Sequence, residues 1–277
     1  MSNNIEPIID DCINIVKVLH DKLLGLISTA HDLSKEVGIG ADNEPTTAID
    51  KFAEDFLIRE ITKKHKCTIM SEEVGIVSFG DERLAFIIDP IDGTSNAKRT
   101  LCPFSVSIGI YYDAKPIGGI VFNVCSQDMY HAITGQGAFL NGRKITCSKE
   151  VLLKKTITGC GRPITMKDLS VYSHINFSTS SNRIYGCPSL DICHVAAGKT
   201  DWASQIHDKP RGTIMDVAAA KVILQEAGGI LLDEKGKELE IVYDPKKKIN
   251  FIACRNDEAF IKSVIDLLKE SESVILE

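Results

Sequence analysis

The stretch LAFIIDPIDGTSNAKR, residues 84–99, runs an apolar segment into one carboxylate, Asp89, and sets a second, Asp92, three positions on, followed at once by Gly-Thr-Ser. An unbroken apolar run of this length predicts a buried strand, which delivers Asp89 at its C-terminal end, where α/β sheets collect ligands. Pro90 has no N–H and ends strand pairing at its position, so the chain turns and brings Asp92 to the side of Asp89. Gly93 permits close backbone approach, and Thr94 or Ser95 caps a helix whose free N–H groups suit a phosphate. Two carboxylates this close repel unless they are protonated or bridged by a cation, and Mg²⁺ and Mn²⁺ favour oxygen ligands. The stretch therefore reads as a metal site beside an anion site, with a turn rich in Asp and Gly as the plain alternative. An EF-hand loop is a worse alternative, because Ile91 and Thr100 stand where it needs an oxygen ligand and a glutamate.

Three further acidic positions extend the metal reading. TIMSEEVG places Glu72 and Glu73 just past a second short strand, one facing inward and one solvated. Asp50 lies near the start of a helix predicted over 48–63, and Asp216 in the first turn of another predicted over 213–227. Helix capping explains either one taken alone.

The rest of the chain supplies a frame for these acids. Residues 5–27 carry apolar side chains at spacings of three and four, predicting a long amphipathic helix, and EVGIGADNEPTT, 36–47, reads as a loop. Extended runs at 67–71, 84–89, 104–112, 117–124 and 128–133 form a meander with turns at 113–116 and 141–142. This predicts an N-terminal α+β half, residues 1–150. From 151 to 277 the pattern alternates as an α/β half, with strands near 156–160, 201–206, 230–232 and 249–254 and helices over 165–173, 189–198, 213–227 and from 256.

Composition excludes several classes of function. A net charge of −6 with interspersed signs leaves no basic patch for nucleic acid. No apolar run is long enough to span a bilayer and no signal-like leader opens the chain, so a cytoplasmic protein without membrane partners is expected. The nine cysteines are scattered, never form C-x-x-C, and read as reduced, mostly buried thiols. No G-x-S-x-G elbow is present, and the seven histidines are scattered, so a protein nucleophile is not indicated. GIGADN lacks the last glycine of a dinucleotide loop and follows a helical segment.

DPIDGTSN at 89–96, the Glu72–Glu73 pair, the Asp50 helix, and the segment from Asp216 to Gly229 with its D-x-A-A and E-A-G-G ends occur together in this order. In this they resemble the inositol monophosphatase family of metal-dependent, lithium-sensitive sugar phosphatases. GADNEPTTAIDKFAED and SLDICHVAAG look more like its archaeal branch, where inositol monophosphatase and fructose-1,6-bisphosphatase activities often combine. The resemblance implies a layered αβαβα sandwich, a homodimer, and two or three Mg²⁺ ions, with Mn²⁺ as a substitute. It implies that Glu72, Asp89, the Ile91 carbonyl and Thr94 surround one ion and that Asp89, Asp92 and Asp216 hold a second. Asp50 and Thr94, with Glu72, would activate the attacking water, and the N–H groups of Gly93, Thr94 and Ser95 would bind the phosphate.

Substrate contacts are expected from GCPSLD, where Gly186 and Cys187 stand in the family's G-S-x-x-L-D segment, and from Arg183 and Arg211, which offer charge for a second phosphate. KKK at 246–248 reads as exposed. The function so implied is hydrolysis of a small sugar or inositol phosphate ester, inositol monophosphate or fructose 1,6-bisphosphate. A phosphatase of NADP or adenosine 3′,5′-bisphosphate, or a noncatalytic metabolite-binding regulator, stands as the alternative.

Overall fold

The computed structural model describes residues 5–29, 33–41 and 43–273. Helix α1 (Ile5–Thr29) buries Ile9, Cys12, Val16, Leu19 and Leu23, the face set by its apolar spacing. A hairpin of β1 (Glu36–Ile39) and β2 (Pro45–Thr47) leads into α2 (Ala48–Lys64). The large sheet then forms from β3 (Thr68–Ser71), β4 (Gly75–Ser78) and β5 (Leu84–Asp92), followed by the one-turn helix α3 (Thr94–Ala97). It continues through β6 (Ser105–Tyr112), β7 (Lys115–Asn123), β8 (Met129–Ile133), β9 (Gly137–Leu140) and β10 (Arg143–Ile145). Its order is β10-β9-β8-β7-β6-β5-β3-β4, antiparallel throughout except where β3 runs parallel to β5.

After a 3₁₀ turn at Leu153–Lys155 the chain builds β11 (Ile157–Cys160), α4 (Met166–Ser178), β12 (Ser181–Arg183), α5 (Pro188–Ala196), β13 (Trp202–Gln205) and α6 (Ile214–Glu226). It closes with β14 (Gly229–Leu232), β15 (Phe251–Arg255) and α7 (Glu258–Ser273). The second sheet has the order β12-β11-β13-β15-β14.

Packing stacks these elements in five layers. α1 and α2 cover one face of the large sheet, α5 and α6 lie between the two sheets, and α4 and α7 cover the far side of the small one. This is the expected αβαβα sandwich. The middle layer explains α6, whose residues are nearly all buried around its circumference because it has a sheet on either side. Its one buried lysine, Lys221, is satisfied by the Leu239 carbonyl at 2.7 Å and by Glu238 at 3.0 Å. Strand β5 is buried at every position, as expected of a central strand.

Several elements differ from the sequence expectation. Residues 36–39 and 45–47 pair as a hairpin instead of an irregular loop; the strands have only four and three residues, and β1 exposes Val37 and Ile39, so no buried face marks it as a strand. β4, β9, β10 and β12 were likewise not predicted, being three- or four-residue strands at or near sheet edges. Pro90 does not end β5: pairing with β6 resumes at Asp92. The cysteines are not all reduced, since Cys102 and Cys125 form a disulfide with Cα atoms 6.0 Å apart. Among the described residues, no helix is long and apolar enough to cross a membrane.

Helix α6 approaches β7 closely at Gly119, where a Cβ would lie 2.5 Å from the Ala219 carbonyl oxygen. Gly119→Ala is therefore predicted to destabilise the protein by about 1–3 kcal/mol through overpacking. Chemical denaturation checks this; an unchanged midpoint would show that the α6–sheet spacing yields freely.

Candidate active site

The pair that opens the motif owes its geometry to a bulge. Alternate residues of a strand face the same side, so Asp89 and Asp92, three apart, belong on opposite faces of a regular strand. Here Asp89 pairs with Ser107 and Asp92 with Ser105, so β5 has one more residue than β6 between the two pairings. The extra residue restores the phase, and both carboxylates face the same way. Gly93 follows with φ +89°, a left-handed conformation, and a Cβ there would meet the Gly186 carbonyl at 3.1 Å.

Two more acids come from capping boxes. Thr47 caps α2 and Thr213 caps α6, and in each the third helical residue, Asp50 or Asp216, accepts the backbone N–H of the cap. Asp50 divides its oxygens: Oδ2 accepts from Thr47, while Oδ1 accepts from the Thr94 hydroxyl at 3.2 Å. Asp216 likewise gives Oδ2 to the Thr213 N–H and hydroxyl. Capping and site membership, which read as rivals in the sequence, are one arrangement.

Glu72, Asp89 and Asp216 converge, each offering a carboxylate oxygen within 4.8 Å of the others. Thr213 Oγ1 also reaches Glu72 Oε1 at 3.5 Å. Asp92 stands at the N-terminus of α5, where its Oδ2 accepts from the Ser189 N–H at 2.7 Å and from Cys187 Sγ at 3.1 Å. Ile91 donates its N–H to Asp89 Oδ1 at 3.0 Å, and its carbonyl lies 3.0 Å from the Thr94 hydroxyl.

A cavity of about 600 Å³ opens over these groups, and Asp50, Glu72, Asp92, Gly93, Thr94, Ser95, Gly186, Arg211 and Asp216 line it. Two expected substrate contacts lie elsewhere. Cys187 is fully buried behind Asp92 and is absent from the lining, so its thiol supports a carboxylate instead of meeting a ligand. Arg183 sits on the edge strand β12, turned to the Ser181 hydroxyl and the Asn182 carbonyl, also outside the lining.

Sequence reading missed other lining residues, namely Glu36, Glu44, Lys98, Gln205 and Thr213, and assigned Lys248 to an exposed run although it lines the cavity. Thr213 was findable from its T-x-x-D spacing to Asp216. Lys98 adjoins the motif. Nothing local marks Gln205 or Lys248.

Burial shapes the charges. Desolvation, reinforced by Glu72, Asp92, Asp216 and Asp50, holds the Asp89 carboxyl well above its ordinary range. Burial and Asp216 push Asp92 up to about 7 despite the hydrogen bonds from Ser189 and Cys187. Burial also raises Asp50, against the hydrogen bonds from Thr47 and Thr94. An all-oxygen donor set whose own charges oppose ionisation fits a hard divalent cation. Glu72, Asp89, Asp92 and Asp216 are the residues that would hold it.

A raised carboxyl pKa favours the neutral folded state, so the metal-free protein keeps the Asp92 contribution below about pH 4 and loses it as pH rises through about 7. Cations compete with protons for the same oxygens, so their benefit runs the other way. Melting temperatures taken from about pH 5 to about pH 7.5 should fall for metal-free protein, while the increment from added Mg²⁺ grows. A Mg²⁺ increment independent of pH would contradict this electrostatic picture.

The comparisons agree with the geometry. The model of the "Inositol monophosphatase family" matches residues 10–269. A fructose-1,6-bisphosphatase/inositol-1-monophosphatase of Methanothermobacter thermautotrophicus is 34% identical over 82% of this chain and 85% of its own. One of the same name from Thermococcus kodakarensis is 29% identical over 93% and 96%. The crystal structure of extragenic suppressor protein suhB from Bartonella henselae superposes with a TM-score of 0.82 at 25% identity, covering 95% of this chain and 98% of that one. With the five-layer sandwich, the bulged Asp89–Asp92 strand and a family match over nearly its whole length, the chain belongs to the inositol monophosphatase family.

Proposed function

We propose that the protein is a Mg²⁺-dependent phosphomonoesterase of small sugar or inositol phosphates, inositol monophosphate or fructose 1,6-bisphosphate, working at the cavity over Asp89. The observation that carries this reading is the convergence of Glu72, Asp89 and Asp216 beside the Asp50–Thr94 pair. Divalent cations held by these carboxylates and Asp92 supply the charge neutralisation and Lewis acidity that hydrolysis of a dianionic ester needs.

The chain's own groups do the remaining work. The Asn96 and Ala97 N–H groups of α3 donate to the Gly93 carbonyl, while Gly93, Thr94 and Ser95, whose N–H groups precede the first intrahelical bond, line the cavity to present them to the phosphate oxygens. Thr94 Oγ1 lies within reach of both Asp50 Oδ1 and the Ile91 carbonyl, so its position is fixed from two sides. Asp50 and Thr94 then orient the attacking water and take its proton. Burial raises Asp50 above the ordinary carboxylate range, the direction that suits a general base. Arg211 and Gly186, which also line the cavity, face the rest of the substrate.

Phosphate release from inositol monophosphate, fructose 1,6-bisphosphate, NADP and adenosine 3′,5′-bisphosphate tests the reading. Mg²⁺-dependent turnover of one of the first two is expected; failure with all four would remove the catalytic assignment. Asp92→Asn should abolish turnover in a folded protein, since it alters a metal ligand at nearly constant volume. Asp50→Asn should lower kcat by about 10²–10⁴-fold, the usual worth of a general base. Near-normal activity of either variant at saturating Mg²⁺ would count against its role.

A further inference from the structure

Helix α2 carries a second inward carboxylate one turn beyond Asp50. Glu54 is 0% exposed. Its Oε1 accepts two backbone hydrogen bonds, from Glu73 N at 3.2 Å and Val74 N at 3.0 Å. Its Oε2 makes no hydrogen bond and lies 3.7 Å from Lys51 Nζ. Burying a carboxylate is costly, and a core-facing helix position needs none for packing alone. What the carboxylate reaches is the turn between β3 and β4, and the two N–H groups it takes are those of the residues directly after Glu72.

The geometry points to Glu54 as a positioning residue for Glu72: its carboxylate pins the backbone of residues 73–74, so that the Glu72 side chain enters the cluster with Asp89 and Asp216. This rests on reading that cluster as a divalent cation site. The same turn is held on another side by the β1–β2 hairpin, where Ala41 N donates to the Glu73 carbonyl at 3.1 Å and the Thr46 hydroxyl donates to the Glu73 carboxylate. That hairpin is largely exposed, whereas Glu54 stands on a helix packed into the core. Residues four apart share a helix face, so one turn of α2 sets the spacing between the Asp50–Thr94 pair and Glu72.

The role separates the possible replacements. Glutamine keeps an acceptor oxygen at the same reach and so keeps the turn in place. Alanine leaves two N–H groups without their acceptor. Aspartate keeps the charge but is one methylene too short to serve both N–H groups without moving the turn.

Mn²⁺ titration by calorimetry into metal-free protein, with circular dichroism confirming the fold, reads this directly. Glu54→Ala and Glu54→Asp should weaken Mn²⁺ binding about 10–100-fold, the range found when groups supporting a metal ligand are lost. Glu54→Gln should stay within about threefold of the unaltered protein. In a Glu72→Ala background, adding Glu54→Ala should weaken binding no further, since the two changes act through one ligand. Should Glu54→Ala fail to fold, the contrast between Glu54→Asp and Glu54→Gln carries the test. Unaltered affinity in the alanine and aspartate variants, alongside a weakened Glu72→Ala, would overturn the inference, as would an additive loss in the double variant. Unaltered affinity in Glu72→Ala would instead remove the cation reading of the cluster, and this inference with it.

Discussion

Mutual repulsion among Glu72, Asp89, Asp92 and Asp216 is the constraint around which the rest of the molecule is arranged. Burial alone raises the Asp89 and Asp92 carboxyls, and their acidic neighbours raise them further. No single element could hold so many like charges together. They arrive from the turn after β3, from the bulged end of β5 and from the first turn of α6, so each is fixed by packing remote from the others. The middle layer is decisive: α6 and α5 lie between the sheets, placing Asp216 and the N-terminus of α5 against the end of β5. Folding thus supplies the energy that keeps the acids close, and a cation bound there would relieve the repulsion that folding creates.

Much of the site is made by ordinary local devices used twice. Each capping box needs only one carboxylate oxygen to satisfy the cap's N–H, which leaves the other to face elsewhere. Asp50 and Asp216 exploit this in the cavity. Asp168 uses the same box in α4 for structure alone, with Oδ2 accepting from the Ile164 and Thr165 N–H groups and Oδ1 from that of Asp208. Capping geometry therefore does not distinguish an aspartate that lines the cavity from one outside it; what the second oxygen meets does. Cys187 shows the complementary case, a side chain inside a functional segment whose contact is with a carboxylate and not with the cavity.

The sequence disclosed those parts of the fold and site that depend on local pattern. The helix over residues 5–29 and the buried strand through Leu84 were legible from apolar patterning, the α6 segment from the strand–helix alternation of the second half, and the DPIDGTSN motif placed Asp89, Asp92 and the Gly93–Thr94–Ser95 turn. Short strands at or near sheet edges were not, since three or four residues are too few to establish a period. The bulge was half legible: Pro90 announced a disruption, but resumption of pairing at Asp92 depends on β6. Gln205, Lys248 and Glu54 were hidden for a common reason: each is defined by what a distant segment brings to it, and no spacing along the chain records that.

The account stands most directly on where a cation binds. A crystal structure of the protein grown with Mn²⁺, with anomalous difference maps, would locate it without reference to activity. The account predicts a peak among Glu72, Asp89 and Asp216, at about 2.0–2.2 Å from their oxygens, with Asp92 beside it. An empty cluster in a Mn²⁺-saturated protein that still hydrolyses its substrate would contradict it.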